Sequence, residues 1–200
     1  MHAGGILTLP DGAEIRIRQV DGSDRAALLA GFDRLSPESR FLRFFSGVPR
    51  MPDEVLDRLT DVDQHRHVAL GVFDPSRASD VGSSDGLGIG VGRYFVSQDD
   101  PTVAEAAVAV IDEYQGRGIG TLLLQSLVVF ARERGIRTFT ADVLAENARM
   151  AAVFDTLGGT PVPEASNLQE VRFEVDVPAA AEPLKATTGY KVMRELAARS

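Results

Sequence analysis

The sequence of 200 residues contains no cysteine and only three histidines. Without cysteine, disulfides, thiolate nucleophiles and cysteine-based metal sites are excluded. His65 and His67 are two residues apart and could share one face of a strand. No third ligand candidate lies near them in the sequence, so we expect no metal site.

Long apolar runs and positive charge are also scarce. No apolar stretch reaches membrane-spanning length, and the first residues lack the basic and apolar regions of a signal peptide, so we expect a cytoplasmic protein with no membrane contact. The net charge is −8, which argues against a surface for nucleic acid or anionic lipid. A hydrophobic content of 44% and a charged content of 25% indicate a globular chain with one main domain.

The order of candidate elements predicts an α+β fold, with a mixed, mainly antiparallel sheet flanked by helices. Helical patterns over residues 26–35 and from Ser36 follow the first strand, and later ones cover 118–134 and 147–157. We expect the main domain to span 1–177, and the Ala/Pro-rich segment 178–200 to be a loose tail with a short helix at Tyr190–Ala198. The predicted strands are Ala13–Val20, His67–Asp74, Leu87–Ser97, Thr102–Ile111, Arg137–Leu144 and Glu170–Val177.

Three glycines stand between an apolar strand and an apolar helix in "VAVIDEYQGRGIGTLLLQSLVVFARERG". Glycine is costly inside a helix, but at a helix N-terminus it lets free N–H groups approach a phosphate closely. Arg117, between Gly116 and Gly118, could add a charge-assisted contact. A plain connecting turn, with Arg117 solvated, is the alternative. A Rossmann dinucleotide site is rejected, because its G-x-G-x-x-G belongs near the chain start in a βαβ unit.

The segment Gln115-Gly116-Arg117-Gly118-Ile119-Gly120 reads Q-x-x-G-x-G and resembles the acyl-CoA motif of the GNAT superfamily of N-acetyltransferases. The later block "ENARMAAVFDTLGG" is similar to that family's N-x-x-A-x-x-x-Y-x-x-x-G helix. "SRFLRFFSG" and "DPTVAEAAVAVIDEYQGRGIG" look like the acetyltransferase domain of bacterial Pat-type protein lysine acetyltransferases. The resemblance covers roughly residues 13–177.

The resemblance implies direct transfer of an acetyl group from acetyl-CoA, as co-substrate, to an amine. For Pat-type enzymes the amine is a protein lysine, and an acyl-CoA synthetase is the implied partner. The resemblance implies three roles for the cofactor-binding residues: strand-like pairing with the acetyl and pantetheine groups, diphosphate binding, and contact with the pantetheine channel. These residues are Val108, Val110, Ile111, Gln115, Gly116, Arg117, Gly118, Ile119, Gly120, Thr121, Asn147, Met150 and Phe154. For Asn147, a plain helix N-cap is a compatible alternative.

Glu105 is the candidate general base, because the attacking amine must lose a proton. It is the only ionisable residue in "TVAEAAVAVI", and apolar neighbours would favour the protonated form of a carboxyl group. Its position also matches the catalytic glutamate of Pat-type domains. The alternative is a glutamate on the solvent face of a strand.

One position departs from the family pattern. Phe154 replaces the tyrosine that many relatives use to protonate the CoA thiolate, so the thiolate would leave unprotonated or take a proton from water. Tyr114 is a substitute, although packing is the favoured interpretation for it. His67 is interpreted as a strand-end residue rather than a pH sensor.

The acceptor side is harder to interpret from sequence. Phe41, Phe44 and Phe45 are expected to be core residues first and a substrate wall second, with Arg40 and Arg43 solvated or paired. Two other functions stay open: an acetyltransferase for a small amine, and a non-catalytic acyl-CoA sensor module. Oligomeric state is not predicted.

Overall fold

An eight-stranded sheet with helices on both faces forms the protein in the computed structural model, which describes residues 4–45 and 49–198. The strands are β1 Gly4–Thr8, β2 Glu14–Gln19, β3 His67–Asp74, β4 Leu87–Val96, β5 Val103–Val110, β6 Thr138–Leu144, β7 Thr160–Pro161 and β8 Glu170–Asp176. The helices are α1 Arg25–Asp33, α2 Pro37–Phe44, α3 Asp53–Thr60, α4 Ile119–Glu133, α5 Ala148–Asp155, α6 Val177–Ala181 and α7 Thr188–Ala197.

The strand order is β1-β2-β3-β4-β5-β6-β8-β7, and every neighbouring pair is antiparallel except β5 and β6. This confirms the predicted mixed, mainly antiparallel α+β architecture. The six predicted strands are present with small shifts at their ends, whereas β1 and β7 were not predicted. Ser46 and Gly47 of the "SRFLRFFSG" segment lie outside the described residues.

Helix α2 begins as its sequence indicates. Ser36 caps α2, since its hydroxyl accepts the Ser39 N–H at 3.1 Å, and Pro37 occupies the first helical position. The start of the first helix differs, because Ser23 lies in a short 3-10 turn that Asp21 caps. The helix after that turn, α1, therefore begins at Arg25 without a side-chain cap.

Helix α4 lies between the sheet and the C-terminal helices. Its apolar side chains are buried on nearly all sides, as the sequence predicted, because α6 and α7 cover the face that the sheet leaves open. Gly90 and Gly92 of β4 allow this close packing: a Cβ at either position would lie 3.2–3.3 Å from α4 side chains. The glycine segment, residues 116–120, precedes and enters α4 and is thereby attached to a rigid support.

The prediction of a loose tail after residue 177 is wrong. Val177, Leu184, Met193 and Leu196 are buried in the same hydrophobic core as the sheet. Helix α7 itself was expected at nearly its observed position. The tail packs because its apolar residues recur at helical spacing and contact α4. The Ala/Pro-rich composition of the segment made this pattern hard to recognise from the sequence.

Ion pairs attach the loop between β3 and β4 to strand β2. The Asp85 carboxylate accepts hydrogen bonds from Arg18 at 2.7 Å and from Arg16 at 3.0 Å. Arg18 is 2% exposed and also makes a bidentate pair with Asp24. A buried guanidinium between two carboxylates fixes one end of the loop against β2.

Candidate active site

Strands β5 and β6 separate after a short stretch of pairing. Their parallel ladder has three register pairs and ends at Glu105–Thr140, whereas the ladder between β4 and β5 continues to Gly90–Val110. The second half of β5 is therefore paired on one edge only. A gap opens in the middle of the sheet.

The free edge of β5 carries backbone groups that can bind a ligand. The Ile111 N–H donates to the Ile89 carbonyl on the β4 side, whereas the Val110 carbonyl accepts from the Gln115 side chain on the other side, both at 3.1 Å. Because N–H and C=O directions alternate along a strand, the N–H and C=O of Val108 face the gap. An extended ligand could pair there as a strand would.

The gap belongs to an open cleft of about 890 Å³, bounded by α2, β5, the glycine segment, β6 and α5. This volume is in the range of small-molecule and cofactor sites. Of the thirteen predicted cofactor-binding residues, Ile111 and Arg117 do not line it. The eleven that do are Val108, Val110, Gln115, Gly116, Gly118, Ile119, Gly120, Thr121, Asn147, Met150 and Phe154.

The glycine segment has the geometry of an anion cradle. Gly116 and Gly118 have positive φ angles of 77° and 84°, which L side chains adopt only with strain. Gly118 is the N-cap of α4 and provides no side-chain cap, so the N–H groups of Ile119, Gly120 and Thr121 lack intrahelical acceptors. These donors and the helix dipole favour a phosphate at this end of the cleft.

The Arg117 side chain turns away from the cleft. Its Nε donates to Asp11 at 2.8 Å, and its guanidinium lies 5.0 Å from the centre of the Tyr114 ring. The hydrogen bond from Arg117 lowers the pKa of Asp11. Asp11, distant in sequence, thus holds the guanidinium outside the cleft in this structure.

Tyr114 is engaged in a similar way. Its hydroxyl donates to Asp74 at 2.6 Å, and burial, followed by this hydrogen bond, raises its pKa. The packing interpretation of Tyr114 therefore agrees with the structure.

Arg149 is a cleft residue that sequence reasoning missed. It lies in the first turn of α5, opposite the glycine segment, and its guanidinium donates to the Gln115 side-chain oxygen. The Gln115 amide nitrogen in turn donates to Ser39 at 3.1 Å. The signal was available, since Arg149 stands between the predicted contacts Asn147 and Met150 in the sequence.

Asn147 and Phe154 occupy the α5 wall of the cleft. The Asn147 side-chain oxygen accepts the Met150 N–H at 3.1 Å, so its role as a helix N-cap is real, and the residue also lines the cleft. Phe154 is 2% exposed and stacks on Phe173 with ring centres 5.7 Å apart. A phenyl ring there provides packing and no proton.

Glu105 lies on the cleft wall where β5 and β6 diverge. Its flanking residues Ala104 and Ala106 are buried, but Glu105 itself is exposed. The expectation of apolar surroundings is wrong, because successive side chains of a strand point to opposite faces and the two alanines face the core. The carboxylate is therefore accessible to solvent and to a bound acceptor.

His67 does not line the cleft. It is buried at the start of β3, its Nδ1 lies 2.9 Å from the Asp61 carbonyl, and its Nε2 lies 3.1 Å from an Arg93 nitrogen. Burial, followed by the charge of Arg93, lowers its pKa. A neutral ring that donates from Nδ1 and accepts at Nε2 satisfies both contacts, in agreement with the strand-end interpretation.

The residues of α2 divide between core and cleft. Phe44 packs edge-on against Phe32 with ring centres 5.6 Å apart, whereas Phe41 and Phe45 are 41% and 39% exposed. Arg40 donates to the Pro49 carbonyl at 2.8 Å. Arg43, expected to be solvated or paired, is half-buried in the cleft wall and makes no hydrogen bond or ion pair within the described residues.

The described residues lack two features. No group of three or more histidine, aspartate or glutamate residues within 4–45 and 49–198 could hold a metal ion. In the same ranges, no helix has the length and apolar character needed to cross a membrane.

A mixed sheet that opens beside a glycine-rich helix N-terminus defines the class of acyl-CoA-dependent acyltransferases. The sequence pattern of the Acetyltransferase (GNAT) family matches residues 48–158. The chain belongs to this family.

Relatives of known name agree with this assignment. Acetyltransferase Pat of Mycolicibacterium smegmatis is 35% identical over 162 residues, which are 81% of this chain and 45% of that protein. The chain thus spans less than half of that relative. Acetyltransferase PA5475 of Pseudomonas aeruginosa is 29% identical over 155 residues, 76% of this chain and 78% of its own length.

Solved structures share the fold. The GNAT domain of S. lividans PAT superposes with a TM-score of 0.76 at 31% identity, covering 86% of this chain and 96% of that domain. YncA from Salmonella typhimurium, a putative acetyltransferase solved with acetyl-CoA, has a TM-score of 0.63 at 19% identity over 82% and 94% of the two chains. At that identity the likeness shows the fold alone.

Proposed function

We propose that this N-acetyltransferase transfers the acetyl group of acetyl-CoA directly to a lysine side chain of a protein in the cytoplasm, with Glu105 as general base. The observation that carries the proposal is the position of Glu105. Its accessible carboxylate stands at the point where β5 leaves β6, three residues before the free backbone groups of Val108. A base and a carbonyl-binding N–H thus belong to one strand.

The cleft fits acetyl-CoA as co-substrate along its length. The first turn of α4 and Arg149 offer N–H donors and a positive charge for the diphosphate. The free edge of β5 offers strand-like pairing for the pantetheine amides. The Val108 N–H is the candidate donor to the acetyl carbonyl, where it would stabilise the oxyanion that forms during transfer.

In the proposed reaction, the acceptor ammonium gives a proton to Glu105, directly or through water. The neutral nitrogen attacks the thioester carbonyl carbon, and a tetrahedral intermediate forms. The C–S bond then breaks, and the nitrogen loses its second proton to water. The products are an N-acetyl-lysine and free CoA. Because Phe154 cannot donate a proton, the CoA sulfur leaves as a thiolate or takes a proton from water.

A protein acceptor is favoured by the rim of the cleft. Phe45 lines the cleft, and Phe41, four residues earlier on α2, is also exposed. Exposed aromatic side chains are enriched at protein interfaces. The further proposal that the acceptor is an acyl-CoA synthetase depends on the resemblance to Pat-type enzymes alone.

The test is transfer of isotopic label from acetyl-CoA in a cell extract, with wild type compared with Glu105→Gln. Removal of a general base is expected to lower the rate about 10²–10⁴-fold. Glu38→Gln is the matched control, since Glu38 is another exposed carboxylate of the cleft wall. Acetyl-CoA binding by each variant shows whether it is folded.

Each outcome has a clear meaning. Label in a few protein bands, lost in Glu105→Gln and kept in Glu38→Gln, supports the proposal. Label only in small molecules would favour a small-amine acetyltransferase. Binding of acetyl-CoA without transfer to anything would favour a sensor module.

A further inference from the structure

A smaller cavity of about 80 Å³ adjoins the cleft, between α1, α2 and the sheet. Its walls are largely apolar. Leu35, Arg43, Ala109 and Val110 line both spaces, so the cavity opens off the cleft beside β5. It has room for a group of several heavy atoms.

Two arginines line this cavity without a carboxylate partner among the described residues. Arg93 is 3% exposed, and its hydrogen bonds go to the Leu59 carbonyl at 2.9 Å and to His67. Arg43 is half-buried and makes no hydrogen bond or ion pair within the described ranges, and its guanidinium lies 5.1 Å from the centre of the Phe44 ring. A buried cation such as Arg93 is normally paired with an anion, so this arrangement is incomplete.

The pKa shifts of Arg93 and Arg43 also indicate that the two cations lack an anion. Burial, then the charges of Arg43 and Arg58, lower the pKa of Arg93 to about 9. Burial also lowers the pKa of Arg43, and the attraction of Glu105 offsets this only in part. Two cations that repel each other would both gain from an anion between them.

The carboxylates of the protein do not supply that anion. Asp24 lines the cavity, but both terminal nitrogens of the Arg18 guanidinium already bind its oxygens, at 2.7 and 2.8 Å. Glu105 attracts Arg43 without forming an ion pair with it. A carboxylate on a bound molecule would supply the counter-charge that the two arginines lack.

We propose that Arg43, supported by Arg93, forms a subsite for a substrate carboxylate. This deepens the proposed function and rests on it, because the subsite opens into the same cleft. The carboxylate has two sources: the far end of a dicarboxylic acyl group carried on CoA, or an acidic side chain beside the acceptor lysine. Either would enter the cavity next to Ala109 and Val110.

Binding measurements on matched ligand pairs test the subsite. The acyl pair is succinyl-CoA against butyryl-CoA, which has a methyl group in place of the carboxylate. The acceptor pair is a short lysine peptide with glutamate next to the lysine, against the same peptide with glutamine, each in the presence of CoA. Calorimetric titration of wild type is expected to show about a tenfold preference for the acid member of one pair.

Variants separate a local subsite from general charge. Arg43→Gln is expected to bring the preference close to one, and Arg43→Lys to retain part of it. Arg58→Gln removes a charge that repels Arg93 but lines neither space, so it is expected to keep the preference. Since each variant is scored by a ratio of two affinities, partial loss of folded protein does not imitate the effect.

The result identifies the source or overturns the subsite. A preference confined to the acyl pair assigns the carboxylate to the acyl group, and one confined to the peptides assigns it to the acceptor. No preference in wild type, an unchanged preference in Arg43→Gln, or an equal loss in Arg58→Gln would overturn it. A retained preference without acetyl transfer to any lysine peptide would count against the proposed function alone.

Discussion

Separate replacement of Gly118 and Gly120 distinguishes backbone geometry from ligand contact in the glycine segment. At Gly118 a Cβ has space, since the nearest atoms, of Pro10, would be 3.9 Å away, but φ is 84°. The cost of Gly118→Ala is therefore conformational, about 1–2 kcal/mol for a left-handed L residue. For a chain of this size, that lowers Tm by roughly 2–8 °C.

Gly120 has no such backbone constraint. It lies in the first turn of α4 with φ outside the positive region, and a Cβ would meet only Val153, at 3.9 Å. Gly120→Ala should leave the stability of the free protein unchanged or raise it, by up to about 1 kcal/mol. Its methyl group would stand where a diphosphate approaches the backbone, so affinity for acetyl-CoA should fall about tenfold or more.

Gly135 provides the matched control. It follows α4 at the opposite end, has a φ of 77° with open space around it, and does not line the cleft. Gly135→Ala should lose about as much stability as Gly118→Ala and keep wild-type affinity. Denaturant unfolding without ligand and calorimetric titration of acetyl-CoA give the two quantities. Wild-type affinity in Gly120→Ala would refute diphosphate binding at the glycine segment. Undiminished stability in Gly118→Ala would refute the argument that an L residue is strained at this φ.

Three further substitutions test contacts described above. Asp85→Asn should lower the free energy of unfolding by about 3 kcal/mol at pH 7, because it leaves the buried Arg18 guanidinium with one carboxylate fewer. Burial alone would raise the pKa of Asp85, but the Arg18 hydrogen bond and charge lower it. The difference in unfolding free energy between wild type and Asp85→Asn is therefore full at pH 7 and is lost as pH falls below about 4. An equal difference at pH 3 in denaturation curves would contradict this. Arg149→Gln should weaken acetyl-CoA binding about tenfold at unchanged Tm, more at low salt than at high salt, and unaltered affinity in titrations would exclude a phosphate contact. Met193→Ala should cost about 2–5 kcal/mol of unfolding free energy, and a loss under 0.5 kcal/mol would mean that α7 is not part of the core.

The elements that local patterns specify were predictable from the sequence. Alternation of apolar and polar residues predicted β2 and β8, and Ser36 with Pro37 predicted the start of α2. The three glycines identified the helix N-terminus, because no other residue type adopts the backbone angles of Gly116 and Gly118 at low cost.

Other features depend on residues far apart in the chain, so local patterns could not reveal them. Arg117 pairs with Asp11 across 106 positions, and this contact turns its side chain away from the cleft. Arg43 was expected to be solvated or paired. Its neighbours in sequence do not reveal that it lies in the wall of the cleft without a hydrogen bond or ion pair among the described residues.

The separation of β5 from β6 has a consequence for the cohesion of the sheet. Strands β1–β5 and strands β6–β8 are two halves joined edge to edge by three register pairs, from Val103–Thr138 to Glu105–Thr140. A molecule that pairs with the open edge of β5 while it contacts α5 would connect the two halves of the sheet. Hydrogen exchange at the Val108 amide would then slow on binding, and the enzyme would resist unfolding most when it carries its acyl donor.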